Sequence, residues 1–253
     1  MKKILYPTLA VLIFLVMQSL SGLLYAVVRG NSIAWCVMLS GVATVVILGV
    51  MRMFNWRQAF RFSSVDWRTG LIGIVAAAFG VASLDIAEEM IDLSDMMQDT
   101  FISMSSTIEG VLCIAVIAPL VEELVFRECL LGHLLRCGTN RWIAIIASSL
   151  LFGIIHLNPI QIPFATAMGI ILSIIYYKSG NIVLTSIIHI LNNSAAVLQM
   201  RLLGNSVADF RLTDWLGGIT TSVLCAIVAM VICVVMLRHF GETYKNNKYE
   251  TVS

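Results

Sequence analysis

Residues 4–28 read ILYPTLAVLIFLVMQSLSGLLYAVV, a stretch without a single charged side chain. A helix needs about 20 apolar residues to cross a hydrocarbon core of about 30 Å, so this stretch is long enough to span a membrane. It is too long for a secretory signal peptide and has no small-residue cleavage site, which predicts a retained first span. The stretch therefore indicates an integral membrane protein.

The composition of the whole chain supports the same conclusion. Of its 253 residues, 59% are hydrophobic and 12% are charged, and the formal net charge is +1. Soluble domains carry about 25% charged residues, so this chain has half the charge that a water-facing surface needs. The composition argues against a cytosolic enzyme, a disordered chain and a basic nucleic-acid binder. The lipid bilayer is the predicted partner, and nucleic acid is not one.

Further apolar stretches follow the first at intervals along the chain. They lie at 30–51, 69–84, from Gly110 to the charged patch at 122–128, at 142–177, at 179–200 and at 215–237. The stretch at 142–177 is too long for one span, and Asn158-Pro159 divides it, because a proline disfavours helical geometry in the residue before it. We predict an all-α bundle of about eight transmembrane helices, forming a single polytopic membrane domain over residues 1–253.

Lysine and arginine placement predicts the orientation of the bundle, because cytoplasmic loops carry an excess of both residues. With the N-terminus inside, twelve of the 16 cations fall on the cytoplasmic side, three fall outside and Arg127 lies within the fourth helix. The outer three are Arg29, Arg201 and Arg211. We therefore expect a multi-pass protein with both termini in the cytoplasm.

The connection over residues 86–107 has a different pattern from the spans. Apolar residues recur there at spacings of three and four, with acidic residues in the gaps; the apolar set is Ile86, Met90, Leu93, Met97, Phe101 and Met104. This pattern predicts one amphipathic helix lying in the outer interface. An interfacial collar and a lid that gates substrate access are both consistent with it.

Charged groups in a spanning helix are costly and often mark function. The fourth helix carries Glu122, Glu123, Arg127 and Glu128 within seven residues. Glu123 and Arg127 are four residues apart and can pair on one helix face. Glu122 lies about 100° around the helix and is therefore predicted to be available for chemistry. Glu128 is expected to reach solvent by extending its side chain.

Two histidines and an asparagine on other helices are expected at a similar depth. Glu122, His156 and His189 lie 14, 15 and 11 residues from predicted cytoplasmic cations, which are Arg136, Arg141 and Lys178 respectively. At about 1.5 Å per residue these separations give depths of roughly 21, 22 and 16 Å. Asn193 follows His189 by one helical turn and lies on the same face. The four polar groups can therefore converge.

Each group also has a structural interpretation. A lone intramembrane histidine can be an interhelical hydrogen-bonding residue, and Asn193 can hold helices together. As a set they suit hydrolysis: a carboxylate beside a histidine can activate water, and a second histidine with an amide can stabilise an oxyanion. Alternatively, Glu122, His156 and His189 could hold Zn²⁺ with an open fourth position. Zincin and nucleophile-elbow signatures are absent from the sequence.

Three short motifs in this region resemble those of one known family. Residues 122–127 read EELVFR, residues 152–156 read FGIIH and residues 189–193 read HILNN. They resemble the EExxxR, FxxxH and HxxxN motifs of the CAAX protease and bacteriocin-processing (CPBP, or Abi) family, in the same order and on hydrophobic helices. The similarity covers residues 110–198, which we take as the protease core.

The resemblance implies an eight-helix α-bundle with intramembrane endopeptidase activity, as in the type II prenyl-protein (CAAX) proteases. By motif position, Glu122 with His156 would activate water, and His189 with Asn193 would stabilise the oxyanion. Glu123, Arg127 and Phe152 would support them. The family is described both as metalloproteases, with Zn²⁺ or another divalent metal, and as metal-free glutamate proteases. Glu128 departs from the family, whose members commonly have glycine after the arginine.

The implied substrate is a membrane-associated peptide or protein, either a prenylated CAAX-type sequence or a bacteriocin leader. Two other classes of function compete with this hypothesis. A non-catalytic scaffold or bacteriocin self-immunity protein would act by binding alone. A proton-coupled transporter could use the same acidic and imidazole groups as a relay, but it would favour inverted repeats, which this sequence lacks.

Overall fold

The structure is a computed structural model that describes residues 2–27, 32–60, 65–91, 93–204, 206 and 210–250, without the side chains of residues 2–4, 58 and 245–250. Its helices are α1 (Lys2–Val27), α2 (Ile33–Val50), α3 (Trp56–Ala59), α4 (Trp67–Glu88), α5 (Gln98–Ser105), α6 (108–136), α7 (Arg141–Ile154), α8 (Gln161–Ser179), α9 (Ile182–Leu203), α10 (Leu212–Trp215) and α11 (Ile219–Glu250). Within these described ranges there is no strand. The predicted all-α membrane class is confirmed.

Short polar side chains begin several of the spanning helices. Ser32, Asp66, Asn140 and Asn181 each accept a hydrogen bond from a main-chain N–H in the first turn of α2, α4, α7 and α9 respectively. Such caps satisfy donors that have no partner within the helix, which matters most where a helix end lies near an apolar phase. The sequence therefore marks where these spans begin.

The helices pack around α6. The pairs α1 with α2, α4 with α11, and α7 with α8 lie against each other, and α6 is contacted by α1, α2, α7, α8 and α9. Phe126 and Leu131 of α6 have no exposed surface, whereas α11 exposes Leu224, Val228 and Val235 on its outer face. Helix α6, which carries polar side chains, is thus enclosed by apolar helices, and large apolar side chains cover the outside. This arrangement is typical of a protein embedded in lipid.

The number of spans is lower than predicted. In the part of the chain that the structure describes, six helices are long and apolar enough to cross a membrane: Leu5–Val27, Ile33–Val50, Trp67–Glu88, Gln161–Ser179, Ile182–Leu203 and Ile219–Tyr244. The predicted fourth span, α6, is helical but carries four charged residues in its middle. The predicted fifth, α7, has 14 residues, about 21 Å of helix, which is shorter than the hydrocarbon core.

The prediction of one amphipathic helix over 86–107 is wrong. Helix α4 continues to Glu88, and α5 begins only at Gln98. In the connection, the Glu89 carboxylate accepts hydrogen bonds from the N–H groups of Leu212 and Thr213, and Asp95 Oδ1 accepts one from the N–H of Met97. Side-chain bonds of this kind compete with the helical main-chain ladder. Asp92 lies outside the described residues.

The break predicted at Asn158-Pro159 is confirmed, because α7 ends at Ile154 and α8 begins at Gln161. Helix α8 approaches the end of α7 closely at Gly153. A Cβ at Gly153 would lie 2.0 Å from Thr166 Oγ1 and 2.6 Å from the Ile162 carbonyl oxygen. Only glycine fits there, so this residue of the FGIIH motif permits the close approach of α8 to α7.

Candidate active site

Helix α6 departs from α-helical geometry twice, and the first departure follows from a proline. Residues Cys113–Ile117 form a π-helical turn, in which the N–H of Ala118 donates to the carbonyl of Cys113. Pro119 has no N–H, so it cannot bond a carbonyl in the preceding turn. The carbonyl of Ile114, five residues before Pro119, instead accepts a hydrogen bond from Asn193 Nδ2 at 3.0 Å. The proline thus opens a position that α9 occupies.

The second departure is a nine-residue π-helix over Leu124–Gly132, in which every residue is buried. Two of its carbonyls accept side-chain hydrogen bonds from outside the segment. Ser148 Oγ of α7 donates to the Phe126 carbonyl at 3.0 Å, and Arg136 Nη2 donates to the Glu128 carbonyl at 3.2 Å. π-Helical turns are rare and occur often at functional sites. Here the π-helix begins directly after Glu123.

The predicted pairing of Glu123 with Arg127 is confirmed. Arg127 Nε lies 3.1 Å from Glu123 Oε2, and neither side chain has any exposed surface. Arg127 also donates from Nη1 to Ser173 Oγ at 3.3 Å, and its guanidinium lies 4.9 Å from the centre of the Phe152 ring. A buried charge pair needs such additional partners, because the loss of hydration otherwise exceeds the mutual attraction.

Glu123 has a second partner that the sequence analysis missed. Its Oε1 atom accepts a hydrogen bond from His189 Nδ1 at 3.2 Å. His189 Nε2 faces the other carboxylate, with 3.8 Å between Nε2 and Glu122 Oε2. The imidazole therefore lies between two acidic side chains that are neighbours in sequence. A carboxylate on Nδ1 selects the tautomer and orientation of a histidine and leaves Nε2 for chemistry.

His156 reaches the same region through Phe152. Its Nδ1 atom donates to the carbonyl of Phe152 at 2.8 Å. The other ring nitrogen, Nε2, is not used in this bond. The Phe152 ring makes edge contacts with both imidazoles, at centroid distances of 5.0 Å to His156 and 5.8 Å to His189. The two histidines are therefore brought together across one aromatic ring.

Asn193 lies one helical turn after His189 on α9, and one of its donors is engaged. Its Nδ2 atom donates to the Ile114 carbonyl, and its Oδ1 accepts from Asn192 Nδ2 at 3.1 Å. An amide nitrogen carries two hydrogens, so a second N–H of Asn193 remains for another acceptor.

The predicted behaviour of Glu128 is wrong. The side chain does not extend to solvent; it is buried, accepting hydrogen bonds from Tyr176 Oη at 2.6 Å and from Arg136 Nη1 at 2.9 Å. Arg136 itself is 53% exposed at its side chain. The Glu128 carboxylate is thus paired with the partly exposed cation of Arg136 and hydrogen-bonded by the Tyr176 hydroxyl.

The metal set suggested by the sequence does not fit a metal centre. Among the described residues, no three His, Cys, Asp or Glu side chains are disposed to hold one ion. Of Glu122, His156 and His189, the first and last approach each other, whereas His156 is directed by its bond to the Phe152 carbonyl.

The site is partly open. The Glu122 side chain retains 17% of its surface exposed, and His156 is half-buried. Two cavities of about 290 and 300 Å³ lie elsewhere, one against α11 around Phe79 and the other between α4 and α9 around Trp67. Neither is lined by the four predicted catalytic residues. Hydrolysis at Glu122 would require water to reach this carboxylate from the surface.

Comparisons with known proteins show that the segment carrying this cluster is similar to one family. The family described as Type II CAAX prenyl endopeptidase Rce1-like matches residues 104–195. This range includes all three motifs and both π-helical turns of α6. The predicted resemblance to the CPBP family is confirmed over this segment, which is the segment that carries the site.

Three relatives align with part of the chain. The membrane-embedded CAAX protease MroQ of Staphylococcus aureus is 36% identical over 90 residues, which are 34% of this chain and 36% of MroQ. The candidate membrane peptidase YdiL of Bacillus subtilis is 29% identical over 85 residues, 34% of each chain. The protein YxdF of Lactococcus lactis is 26% identical over 141 residues, 53% of this chain and 76% of YxdF. The chain thus spans about a third of the length of the first two relatives. No solved structure matches.

Proposed function

We propose that this protein is an intramembrane endopeptidase that hydrolyses an amide bond of a membrane-associated peptide. The observation that carries the proposal is the position of His189 between two carboxylates, hydrogen-bonded to Glu123 and facing Glu122, inside a bundle of apolar helices. An arrangement this costly to bury is typical of a functional site in a membrane protein. The match of residues 104–195 to a family of prenyl endopeptidases supports it.

In the proposed reaction, Glu122 acts as the general base. It takes a proton from a water molecule, with His156 Nε2 orienting or sharing that water, while the hydroxide oxygen attacks the carbonyl carbon. The C=O electron pair moves to the oxygen and forms the tetrahedral oxyanion. Glu122 then returns the proton to the leaving amine as the C–N bond breaks. Glu122 is suited to this exchange because it is the less buried of the two acidic neighbours.

His189 and Asn193 are the proposed oxyanion donors. When both ring nitrogens of His189 carry a proton, Nδ1 donates to Glu123 and Nε2 can donate to the oxyanion. Asn193 can offer its second amide N–H, while the first stays bound to the Ile114 carbonyl. Donors held in place before the reaction stabilise the developing charge without reorganisation. Glu123 and Arg127 hold His189 in position rather than react.

The substrate class follows from the relatives and is part of the proposal. MroQ is named as a CAAX protease, and the matching family as prenyl endopeptidases. We propose a peptide that is held at the membrane, either by a prenyl group of CAAX type or as a leader sequence.

The test is cleavage of a library of membrane-inserted and prenylated peptides by the purified protein in vesicles. Glu122→Gln should lower the rate by at least about 10³-fold, because it removes the base and keeps the shape. The matched control is Glu109→Gln, the same substitution on the same helix, away from the cluster. The rate should persist in a chelator, with metal content checked by elemental analysis. Equal cleavage by both variants would overturn the proposal.

A further inference from the structure

The turn that follows His156 is held by a residue outside the three motifs. Asn158 is two residues after His156 and has no exposed surface. Its Nδ2 atom donates to Asp95 Oδ1 at 2.7 Å, and its Oδ1 accepts from the N–H of Met96 at 3.0 Å. Its main-chain carbonyl accepts from the N–H of Ile162 in the first turn of α8. Both polar ends of the side chain are thus used on a segment 62 and 63 residues away.

The backbone between His156 and Asn158 is strained. Leu157 has a φ of +52°, in the left-handed region, and it is not a glycine. For an L-residue with a side chain this conformation is disfavoured. Leu157 itself is 78% exposed, so its side chain makes little packing that could hold the conformation. The next residue, the buried Asn158, makes the hydrogen bonds that can hold the turn in this conformation.

The segment to which Asn158 is bound also reaches the other half of the site. Asp95 Oδ1 accepts from the N–H of Met97 just before α5, and α5 packs against α9, the helix of His189. Helix α6 then begins against α5, where a Cβ on Gly110 would lie 1.9 Å from the Met104 carbonyl oxygen. Four residues after Gly110, the Ile114 carbonyl accepts a hydrogen bond from Asn193.

We infer that Asn158 and Asp95 are positioning residues for the reaction: they join the connection between α4 and α5 to the turn that carries His156. The inference rests on the proposed function, because it gives the bond a role in placing the histidine that shares the attacking water. The side chain of Asn158 acts as a donor at one end and as an acceptor at the other. Asn158 supplies one donor to a carboxylate and one acceptor to a main-chain N–H, and aspartate cannot do both.

A reciprocal exchange tests this pattern. In Asn158→Asp the donor is lost and two carboxylates face each other, so the turn should be released. In Asp95→Asn the amide oxygen can still accept from Asn158. In the double variant Asn158→Asp/Asp95→Asn, the new amide donates to the new carboxylate, which still accepts from Met96, so the two side-chain bonds of position 158 are restored, while the bond from the Met97 N–H passes to the oxygen of the new amide. Each chain should remain folded, as checked by its thermal unfolding in detergent.

The expected result is a loss of about 10²-fold in kcat for Asn158→Asp, with KM changed far less, because a small misplacement of a reacting group has this effect. Asp95→Asn should stay within about 3-fold of the unmodified protein, and the double variant should recover to the same range. The control is Asp99→Asn, which changes an exposed carboxylate four residues along the chain. A purely structural role would lower the amount of folded protein without this split between kcat and KM.

A second measurement reads the position of His156 without any activity. The rate at which diethyl pyrocarbonate modifies His156 is followed by mass spectrometry, with the exposed His239 as internal reference. Asn158→Asp should change the rate at His156 at least about 3-fold, and the double variant should restore it, because the ring's access depends on the turn. Unchanged reactivity in a folded Asn158→Asp variant, or no recovery in the double variant, would overturn the inference. Failure of the proposed function would instead show as an inactive unmodified protein with the same reactivity pattern.

Discussion

His189 Nδ1 lies 3.2 Å from Oε1 of Glu123, a carboxylate with no exposed surface. The same carboxylate accepts from Arg127 through its other oxygen, so one side chain joins a cation and an imidazole on different helices. Glu123 is therefore more than the neutralising partner of an arginine. It orients the imidazole of His189, whose other ring nitrogen faces Glu122. The first prediction therefore separates the effect of Glu123 on stability from its effect on activity.

Removal of Glu123 should destabilise the protein, and removal of its cation as well should restore stability but not activity. Glu123→Ala leaves Arg127 buried without its carboxylate, which costs about 3–5 kcal/mol in comparable cases. Glu123→Ala/Arg127→Leu removes both charges, so most of that loss should be recovered. The measurement is thermal unfolding in detergent beside the cleavage rate.

The cleavage rate of the double variant should remain low, because His189 has lost the acceptor that orients it. A double variant that regained both stability and full activity would contradict the orienting role of Glu123. Arg136→Ala is the comparison for a more exposed pair, since Arg136 is 53% exposed and its partner Glu128 keeps Tyr176. It should lower the unfolding temperature less than Glu123→Ala does.

Replacement of Pro119 should lower activity while leaving stability unchanged or increased. Pro119→Ala supplies an N–H that can compete with Asn193 for the Ile114 carbonyl or allow an α-helical register at 113–117. Either change would move Asn193 away from the position proposed for the oxyanion. We expect a fall in kcat of about 10²-fold, in the range for loss of one oxyanion donor.

The measurements are kcat and the unfolding temperature of Pro119→Ala, compared with kcat and the unfolding temperature of Asn193→Asp. The latter removes both amide donors and keeps the size of the side chain, so it should show at least as large a fall. Wild-type kcat in Pro119→Ala would show that the proline serves folding alone.

Gly153→Ala should prevent correct assembly of α7 with α8. The added Cβ would lie 2.0 Å from Thr166 Oγ1, and the nearby Ile162 carbonyl oxygen is main chain and cannot move away cheaply. The matched substitution is Gly22→Ala in α1, where the added Cβ would meet nothing within 4 Å. Alanine in place of an open helical glycine is expected to stabilise by roughly 0.5–1 kcal/mol.

The two glycine variants are compared by the yield of monodisperse protein and by thermal unfolding. A Gly153→Ala protein with the yield and unfolding temperature of Gly22→Ala would show that the close approach of α8 to α7 is not required.

Substitutions of Leu157 should follow its φ of +52° rather than its packing. Leu157→Val should lower the unfolding temperature, because a β-branched residue tolerates the left-handed region worst. Leu157→Gly removes the strain at the cost of greater freedom in the unfolded chain, so it should be close to neutral. Ile154→Val, at an exposed helical position three residues earlier, is the control and should change little. Equal effects of Val and Gly at 157 would argue against strain at this turn.

The sequence by itself determined the class of the protein and the local parts of the site. Charge-free stretches specify spanning helices because lipid offers no partner to an exposed main chain. The spacing of four residues brings Glu123 to Arg127 because a helix places i and i+4 on one face. The break at Asn158-Pro159 was also visible, and Pro119 was a signal for the π-helical turn that the sequence analysis did not use.

Tertiary structure decided which groups meet across helices. His189 is 66 residues from Glu123, Asn193 is 79 from Ile114, and Asn158 is 63 from Asp95. No periodicity in the chain predicts these pairs. They depend on how the helices cross and on the two π-helical segments of α6, which change the direction of the side chains that follow. The break in the predicted helix at 86–107 has the same origin: Glu89 meets the start of α10, 123 and 124 residues away, and that contact competes with the helix.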